Sequence, residues 1–590
     1  MQTSLFSSIV PPLDTGWRPS APPDLSQFTS EDPIFFDTET SGLNWRGGDR
    51  PVGIALALPN GQSHYIPFGH NGGNLDEARV KEWARTELRF KHLVGLNLKF
   101  DFHMMREWGV DLEEQENVAT DVSHMAALID DNRRKFSLEA LSQHYLGRGK
   151  VEGLDVTKMV EYHSSSVQTY ARRDAELTRD LYYELMPIIQ REDLNRVLQL
   201  ESDVLWPTLE MEKNATPIDV ELLQKWIKEA EQKRLRLLWE IHRETGVNFS
   251  PAKTSSWVEL YQKRGIKITH YTEDGKPSFE DAIVAKETDP VVHLARKAKK
   301  LTGIQSKYLH PYADELTDDC HLPFQLHQLR ADEGGTVTGR FSSSNVNIQQ
   351  VMAVAKQKET LGDDFIIRNL FVPKSGQWLS ADAMQIEYRL FAHYSCAPKI
   401  LEEYTRNPLV SYHQVVWDMV RPYKEDIPYK SVKNLNFAKL YGAGIQKIAE
   451  MLGVPLATAK MFVSAYDQAF PEVRALLQHA ARTAESRRYV KTIAGRRSRF
   501  VDRRRLHKAL NCVIQGSAAD VNKQKIVDLH SQRKKTGFVM RMTVHDEVCG
   551  DSPDQKCTEM VTKILNEQSF DTKVPILWDV NTGSSWGACA

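Results

Sequence analysis

The spacing of apolar positions changes three times along the chain, and each change marks a change of architecture. Between about 33 and 195, short apolar runs bounded by turn residues ("PIFFDTET", "PVGIALALP", "SHYIPFG") read as strands. "LVGLNLKFDFHMMREWG" passes from strand through turn into helix, and "SVQTYARRDAELTRDLYYELMPII" keeps one long helical period. Strands interleaved with helices predict an α/β domain. Near 195 the strands give way to helices, and the segment 216–246 predicts a long helix closed by Gly246. "GQWLSADAMQIEYRLFAHYS" predicts a strand running into a helix, and a mainly helical block follows to about 535. "RMTVHDEVCG" (541–550) then predicts a hairpin. The proline-rich stretch 10–25 predicts an extended lead-in.

A chain of 590 residues is too long for one core, so several domains are expected. Hydrophobic content of 41% with 26% charged residues fits a soluble globular class. No apolar stretch approaches the ~18–20 residues that span a bilayer, and the N-terminus carries no basic leader. Six cysteines without paired metal spacing suit a reducing compartment and need no zinc. The expected place is therefore the cytoplasm, with no membrane partner. A net charge of −2 does not advertise nucleic-acid binding, but only local charge meets phosphate. Two local basic segments stand out, the lysine-rich 295–309 and the arginine-rich 495–508.

Candidate chemistry gathers in two places. Asp37 and Glu39 lie two apart on a strand and share a face. Asn97 and Asp101 follow, then Tyr170 and Asp174, which are four apart on one helix face. Four carboxylates and a tyrosine suit two divalent cations ~3.5–4 Å apart acting on a phosphodiester. Farther along, Asp546 and Glu547 are adjacent. On a strand they would face opposite ways, whereas at a hairpin turn both could reach one volume around a cation. Taken alone, such a pair is also what a polar hairpin tip looks like. Asp382 ends an apolar strand with Glu387 five residues on. Lys433, Phe437 and Tyr441 form one helical stripe spanning ~12 Å, and two aromatics at this spacing are also what an apolar core stripe looks like.

Asp-x-Glu, Asn-x-x-x-Asp and Tyr-x-x-x-Asp in this order resemble the three motifs of the DEDD-type 3′–5′ proofreading exonucleases, Tyr subclass. The resemblance implies that Asp37, Glu39, Asp101 and Asp174 ligate metal and that Tyr170 orients the attacking water. "LSADAMQIEYR" and "VHDE" resemble motifs A and C of the family A, polymerase I-like DNA polymerases, and "YKSVKNLNFAKLYGAG" (429–444) resembles motif B. That implies Asp382 and Asp546 as the metal carboxylates, with Glu547 an auxiliary acid in the same turn. Lys433, Phe437, Tyr441, Gln385, Glu387, His413 and Arg368 are then expected at the nucleotide. Arg340, Asn347, Gln349, Asn511, Gln515 and His545 are expected at the primer–template. The cofactor implied is Mg²⁺, two ions at each site, with Mn²⁺ able to substitute.

The implied fold is multidomain α/β and α+β: an RNase H-like exonuclease domain followed by a right-hand polymerase of palm, thumb and fingers. The expected division is 1–30 lead-in, 31–195 exonuclease and 196–590 polymerase. Within the last, the thumb is about 216–330, the palm about 196–215 with 331–400 and 536–590, and the fingers about 401–535. The partners implied are primer–template DNA, deoxynucleoside triphosphates and replisome or processivity proteins, on a monomer. The chain starts too late to hold the 5′-nuclease domain of cellular members, so a compact bacteriophage-type enzyme is expected. Three departures stand out. Tyr429, flanked by Lys430, replaces the usual motif B arginine, leaving Lys430 or Arg421 to supply that charge. His507 stands where arginine is common, and Ala383 and Met384 alter motif A.

Overall fold

The computed structural model describes residues 13–589 apart from 273 and 333, and the side chains of 359–361 are not described. The first twelve residues of the expected lead-in lie outside the described residues. From Leu13 the lead-in runs along the first domain, where the Thr15 N–H donates to Ser165 Oγ at 2.9 Å and Leu25 is buried.

Five strands form the first sheet: β1 (Pro33–Thr40), β2 (Pro51–Ala57), β3 (Ser63–Pro67), β4 (His92–Gly95) and β5 (Val118–Asp121). Their order is β3-β2-β1-β4-β5, antiparallel from β3 to β1 and parallel from β1 to β5. β2 is buried along its whole length, which is why it reads as an unbroken apolar run. Alternation on β1 decides what faces what. Ile34 and Phe36 join one core with Ile54 and Phe102, while Phe35 joins another with Tyr170, Leu181 and Leu185. Asp37 and Glu39 share the parity of Phe35, so they face the long helix that carries Tyr170. Helix α1 (Leu98–Glu107) follows β4, and α2 (Ser164–Arg191) is that long helix.

Helix α3 (Asn195–Asn214) leads into the second domain, followed by α4 (Val220–Thr245). Gly246 closes α4 with φ +72, as expected of a C-cap. α4 starts four residues later than the sequence pattern predicts. Thr216–Pro217 pairs with His321–Leu322, and Asp219 caps α4 by accepting from the Leu222 N–H. The second large sheet is antiparallel, with β6 (Gln377–Ala383), β7 (Val539–Val544), β8 (Glu547–Ser552) and β9 (Trp578–Gly583) in the order β7-β8-β6-β9. Around its cleft stand α5 (Ile386–Ser395), α6 (Tyr412–Val420), α7 (Tyr429–Leu440) and α8 (Ala509–Ser531). Among the described residues no single helix is long and apolar enough to cross a membrane.

A fully buried ion network fastens α3 to the rest of the second domain, and partly buried pairs beside it reach the first. Glu201 of α3 pairs with Lys523 of α8 at 2.7 Å and with Arg496 at 2.5 Å, and Arg496 reaches Asp520 at 2.9 Å. Arg497 and Arg499 both pair with Glu192, and Arg499 also with Asp131. This corrects the reading of 495–508 as one basic patch. Arg497 and Arg499 clasp the first domain, Arg496 is buried against α3, and Arg503, Arg504 and Arg505 stand exposed. Removing one partner of a buried pair leaves an uncompensated charge, a loss of roughly 3–5 kcal/mol, so the buried network is structural.

Candidate active sites

In the first domain, strand alternation and helix periodicity deliver the four predicted carboxylates to one place. Asn97 precedes α1 in a left-handed conformation, φ +62, and turns the chain so that Asp101 points back at β1. There Asp101 Oδ1 accepts from the Thr38 N–H at 3.1 Å and from Thr38 Oγ1 at 2.6 Å. Burial first, and then the charge of Asp174, pushes Asp37 up to about 7. Burial also holds Glu39 and Asp101 well above the carboxylate range, with Asp37 the largest neighbouring charge for each. Burial raises Asp174 as well. Glu39 Oε1 and Asp174 Oδ1 are buried acceptors without a hydrogen-bond partner. Raised carboxylates with unmet oxygens are what a cation site looks like before charge is supplied. Lys150, which sequence reasoning missed, pairs with Asp174 at 2.5 Å and lies 4.8 Å from the centre of the Tyr170 ring.

In the second domain Asp382 and Glu547 sit directly opposite each other on β6 and β8, with Asp579 of β9 opposite Asp382 on the other side. Partial enclosure, then Glu547 and Asp546, pushes Asp382 up to about 7. Its carboxylate nevertheless opens to solvent at the cleft floor. Asp546 lies in the two-residue turn between β7 and β8, after His545 at φ +56, a conformation rare outside glycine. The turn is held from three sides. Gln349 accepts from the His545 N–H at 2.9 Å, Asn522 donates to the His545 carbonyl at 3.1 Å, and the Ala383 N–H donates to the Asp546 carbonyl at 3.1 Å. The last bond joins the strand that bears Asp382 to the turn that bears Asp546.

Four expected site residues are engaged by protein groups here. Glu547 opens β8 instead of sharing the turn. Its carboxylate is taken by Ser380, by Trp586 Nε1 at 2.6 Å and by Arg368 at 3.2 Å. Arg368, expected at the triphosphate, is thereby committed to Glu547 and stacks 3.8 Å over Trp586. Gln349, expected at DNA, is buried, and its amide also donates to the Thr543 carbonyl at 2.6 Å, so it holds the hairpin. Gln385 accepts from the Tyr412 N–H at 3.1 Å and donates to Ser411, fastening the start of α6.

The remaining predicted residues line one cleft. Arg340 joins Glu387 at 2.6 Å and Asp546 at 3.3 Å, so a side-chain cation stands among these carboxylates too. Tyr441 donates to Glu387 at 3.3 Å, and Gln515 to Tyr441 at 3.4 Å. Lys433 and Tyr441 are exposed and Phe437 is half-buried, so the stripe faces the cleft and not a core. Phe437 packs edge-on against Tyr388 at 5.4 Å and lies 5.8 Å from His413. Burial, then Lys433, holds His413 down at about 4, hence neutral. Tyr466 donates to Asn436 Oδ1 and Asn436 Nδ2 meets His413 Nδ1 at 3.0 Å, which leaves the imidazole proton on Nε2. Asn347 is exposed and Asn511 half-buried with a free Oδ1. Tyr388, Tyr466 and Asn436 were not singled out in the sequence, because buried polar aromatics look like core there. Among the described residues no group of three or more His, Cys, Asp or Glu side chains is drawn together closely enough to hold a metal ion as they stand.

A family model described as DNA polymerase family A matches residues 220–588, and one described as 3′–5′ exonuclease matches 24–190. The chain is 28% identical to a DNA polymerase DpoZ of Salmonella phage PMBT28, over 87% of this chain and 89% of the relative. It is 27% identical to a DNA-directed DNA polymerase of Pseudomonas phage M6, over 99% and 98%. DNA polymerase I of Pseudomonas aeruginosa matches at 24% over 95% of this chain but only 64% of its own length. The polymerase domain of Pol1 from M. smegmatis, solved with DNA primer–template and dNTP, superposes with TM-score 0.79 at 20% identity, covering 94% of this chain and 96% of that one. Domains of these two kinds generally depend on metal. The chain belongs to DNA polymerase family A, with a 3′–5′ exonuclease domain ahead of its polymerase domain.

Proposed function

We propose that this polymerase copies a DNA template from a primer 3′ end at Asp382 and Asp546, and removes mispaired ends at Asp37, Glu39, Asp101 and Asp174. Its setting would be phage genome replication in the host cytoplasm. The observation that supports the reading is the bond from the Ala383 N–H to the Asp546 carbonyl, which joins the strand bearing Asp382 to the turn bearing Asp546. Asp382 and Asp546 are the residues to hold two Mg²⁺ ions, and the four nuclease carboxylates another two, with Mn²⁺ a substitute. Such ions lower the pKa of the attacking hydroxyl or water and stabilise the leaving oxygen. The protein's own part is positioning and charge. Lys433 and the Nε2–H of His413 face the triphosphate, Glu387 fills the space beneath the sugar where a 2′-hydroxyl would project, and Arg340, Asn347, Asn511, Gln515 and His545 contact primer–template. Tyr170 orients water in the nuclease centre. Replisome proteins are further candidate partners of a monomer. Primer extension on labelled primer–template, with and without deoxynucleotides and Mg²⁺, tests both halves; neither elongation nor shortening would sink the reading.

The missing motif B arginine has a specific substitute. Trp417 packs edge-on against Tyr429 at 6.0 Å and carries Arg421 at 4.7 Å over its ring. Both Arg421 and Lys430 are exposed, but Arg421 is held over the Trp417 ring beside the departure. Arg421→Ala is expected to raise the nucleotide KM severalfold, Lys430→Ala to leave it within twofold, and Lys433→Ala to raise KM and slow incorporation together. Steady-state single-nucleotide incorporation reads all three.

Metal and pH are linked through Asp37. Its folded pKa, about 7, lies above the ordinary value of 3.8. Its contribution to stability is therefore full below about pH 4 and is lost as pH rises through 7. A divalent ion neutralises the carboxylates and offsets that loss. The gain in Tm on replacing EDTA with Mg²⁺ should accordingly be larger at about pH 8 than at about pH 6. Asp37→Ala with Glu39→Ala should flatten the difference, as scanning fluorimetry would reveal.

A further inference from the structure

We propose that Lys150 is a built-in cation of the nuclease centre, one that competes with divalent ions for Asp174 and so sets how tightly the centre holds them. The inference rests on the reading of Asp174 as a metal ligand. A lysine on a loop is usually a solvated tether, but the backbone around Lys150 is clamped from both sides. Glu139, on the helix Leu138–Leu146, accepts from the Lys150 N–H at 2.7 Å. Arg173, the neighbour of Asp174 on α2, donates from Nε and Nη2 to the Gly149 carbonyl at 3.4 Å. A Cβ on Gly149 would come within 2.5 Å of the Glu139 carboxylate, so glycine lets the loop approach this closely.

The loop delivers the ammonium to Asp174 Oδ2 at 2.5 Å, beside the ring of Tyr170. Its field reaches further, since Lys150 is the cation that acts on Asp37 and Glu39 as well as on Asp174. Lys150 occupies Oδ2 and leaves Asp174 Oδ1 without a partner, so an ion bound there would stand next to the ammonium and be repelled by it. At 30% side-chain exposure the lysine has room to swing toward solvent and relieve that repulsion. The pair thus lowers metal affinity while keeping four clustered acids partly neutralised.

The test is Mn²⁺ binding, followed by the electron paramagnetic resonance of free Mn²⁺, in an Asp382→Ala background that removes the polymerase ligand. Lys150→Met should bind Mn²⁺ at the nuclease centre about tenfold more tightly, and Lys150→Arg, which keeps the charge, should stay near the parent. Circular dichroism checks folding, and Lys150→Gln replaces the Met variant if that one does not fold. Unchanged or weaker binding in the neutral variant overturns the proposal. Asp174→Ala separates the two levels of inference. If it leaves Mn²⁺ binding and single-strand digestion unchanged, the site reading itself fails. If it abolishes both while Lys150→Met changes nothing, only the role of Lys150 fails.

Discussion

Asp546→Ala is expected to extend a labelled primer at least about a thousandfold more slowly than the parent and to digest a single strand at the parent's rate. The first half follows from what Asp546 is to the palm. Asp546 and Asp382 are the two acids proposed to hold the ions, while the carboxylate of Glu547 is engaged by Ser380, Trp586 and Arg368. Losing one of the two proposed ligands weakens nucleophile activation and charge stabilisation together, each worth several kcal/mol in a phosphoryl transfer. The second half follows from the fold. Asp37, Glu39, Asp101 and Asp174 lie at a different sheet with its own core, and the pairs of Arg497 and Arg499 with Glu192 and Asp131 that clasp the domains are remote from the hairpin turn. One complication is testable in the same gel. Arg340 loses a partner in the variant but keeps Glu387 at 2.6 Å, so the cleft should stay folded. Extension within tenfold of the parent would remove Asp546 from the active site.

The elements that place the carboxylates were legible because they rest on local rules. Period-two alternation put Asp37 and Glu39 on one face, and a four-residue helical step put Tyr170 over Asp174. An apolar run ending at Asp382 announced β6. What was not legible depends on pairing across the chain. Whether Glu547 belongs to the turn or to the strand turns on a register that only the β6–β8 pairing fixes. Arg368, Gln349 and Gln385 were expected at ligands, yet each is spent on protein groups 179, 194 and 27 residues away. The arginines of 495–508 could not be divided into clasp and surface without Glu192, Glu201 and Asp520, which lie elsewhere in the sequence. Lys150 has no motif at all, and nothing local distinguishes it from a solvated lysine.

Phe437→Tyr is expected to erase most of the enzyme's discrimination against dideoxynucleotides. Phe437 sits on the cleft-facing stripe of α7, its ring pinned edge-on to Tyr388 at 5.4 Å and near His413 at 5.8 Å. The half-buried ring leaves its remaining edge to the space expected for the incoming sugar. A phenyl edge offers that sugar no hydrogen-bonding group, so a nucleotide that lacks its own 3′-hydroxyl loses a contact that nothing replaces. Tyrosine adds one donor and acceptor at nearly the same volume, and the pinned ring directs it without a new rotamer search. Restoring one polar contact in a closed site is worth ~2–3 kcal/mol, or roughly a hundredfold in selectivity. The family resemblance points the same way, because a tyrosine at this motif B position goes with ready use of dideoxynucleotides and a phenylalanine with their rejection. Proofreading would hide the effect by removing the terminator, so the comparison belongs in an Asp37→Ala, Glu39→Ala background. There the ratio of deoxy- to dideoxynucleotide incorporation should fall by one to two orders of magnitude, while kcat for the ordinary nucleotide stays near the parent value. A ratio that does not move would take Phe437 away from the sugar, and with it the register of the whole Lys433–Tyr441 stripe.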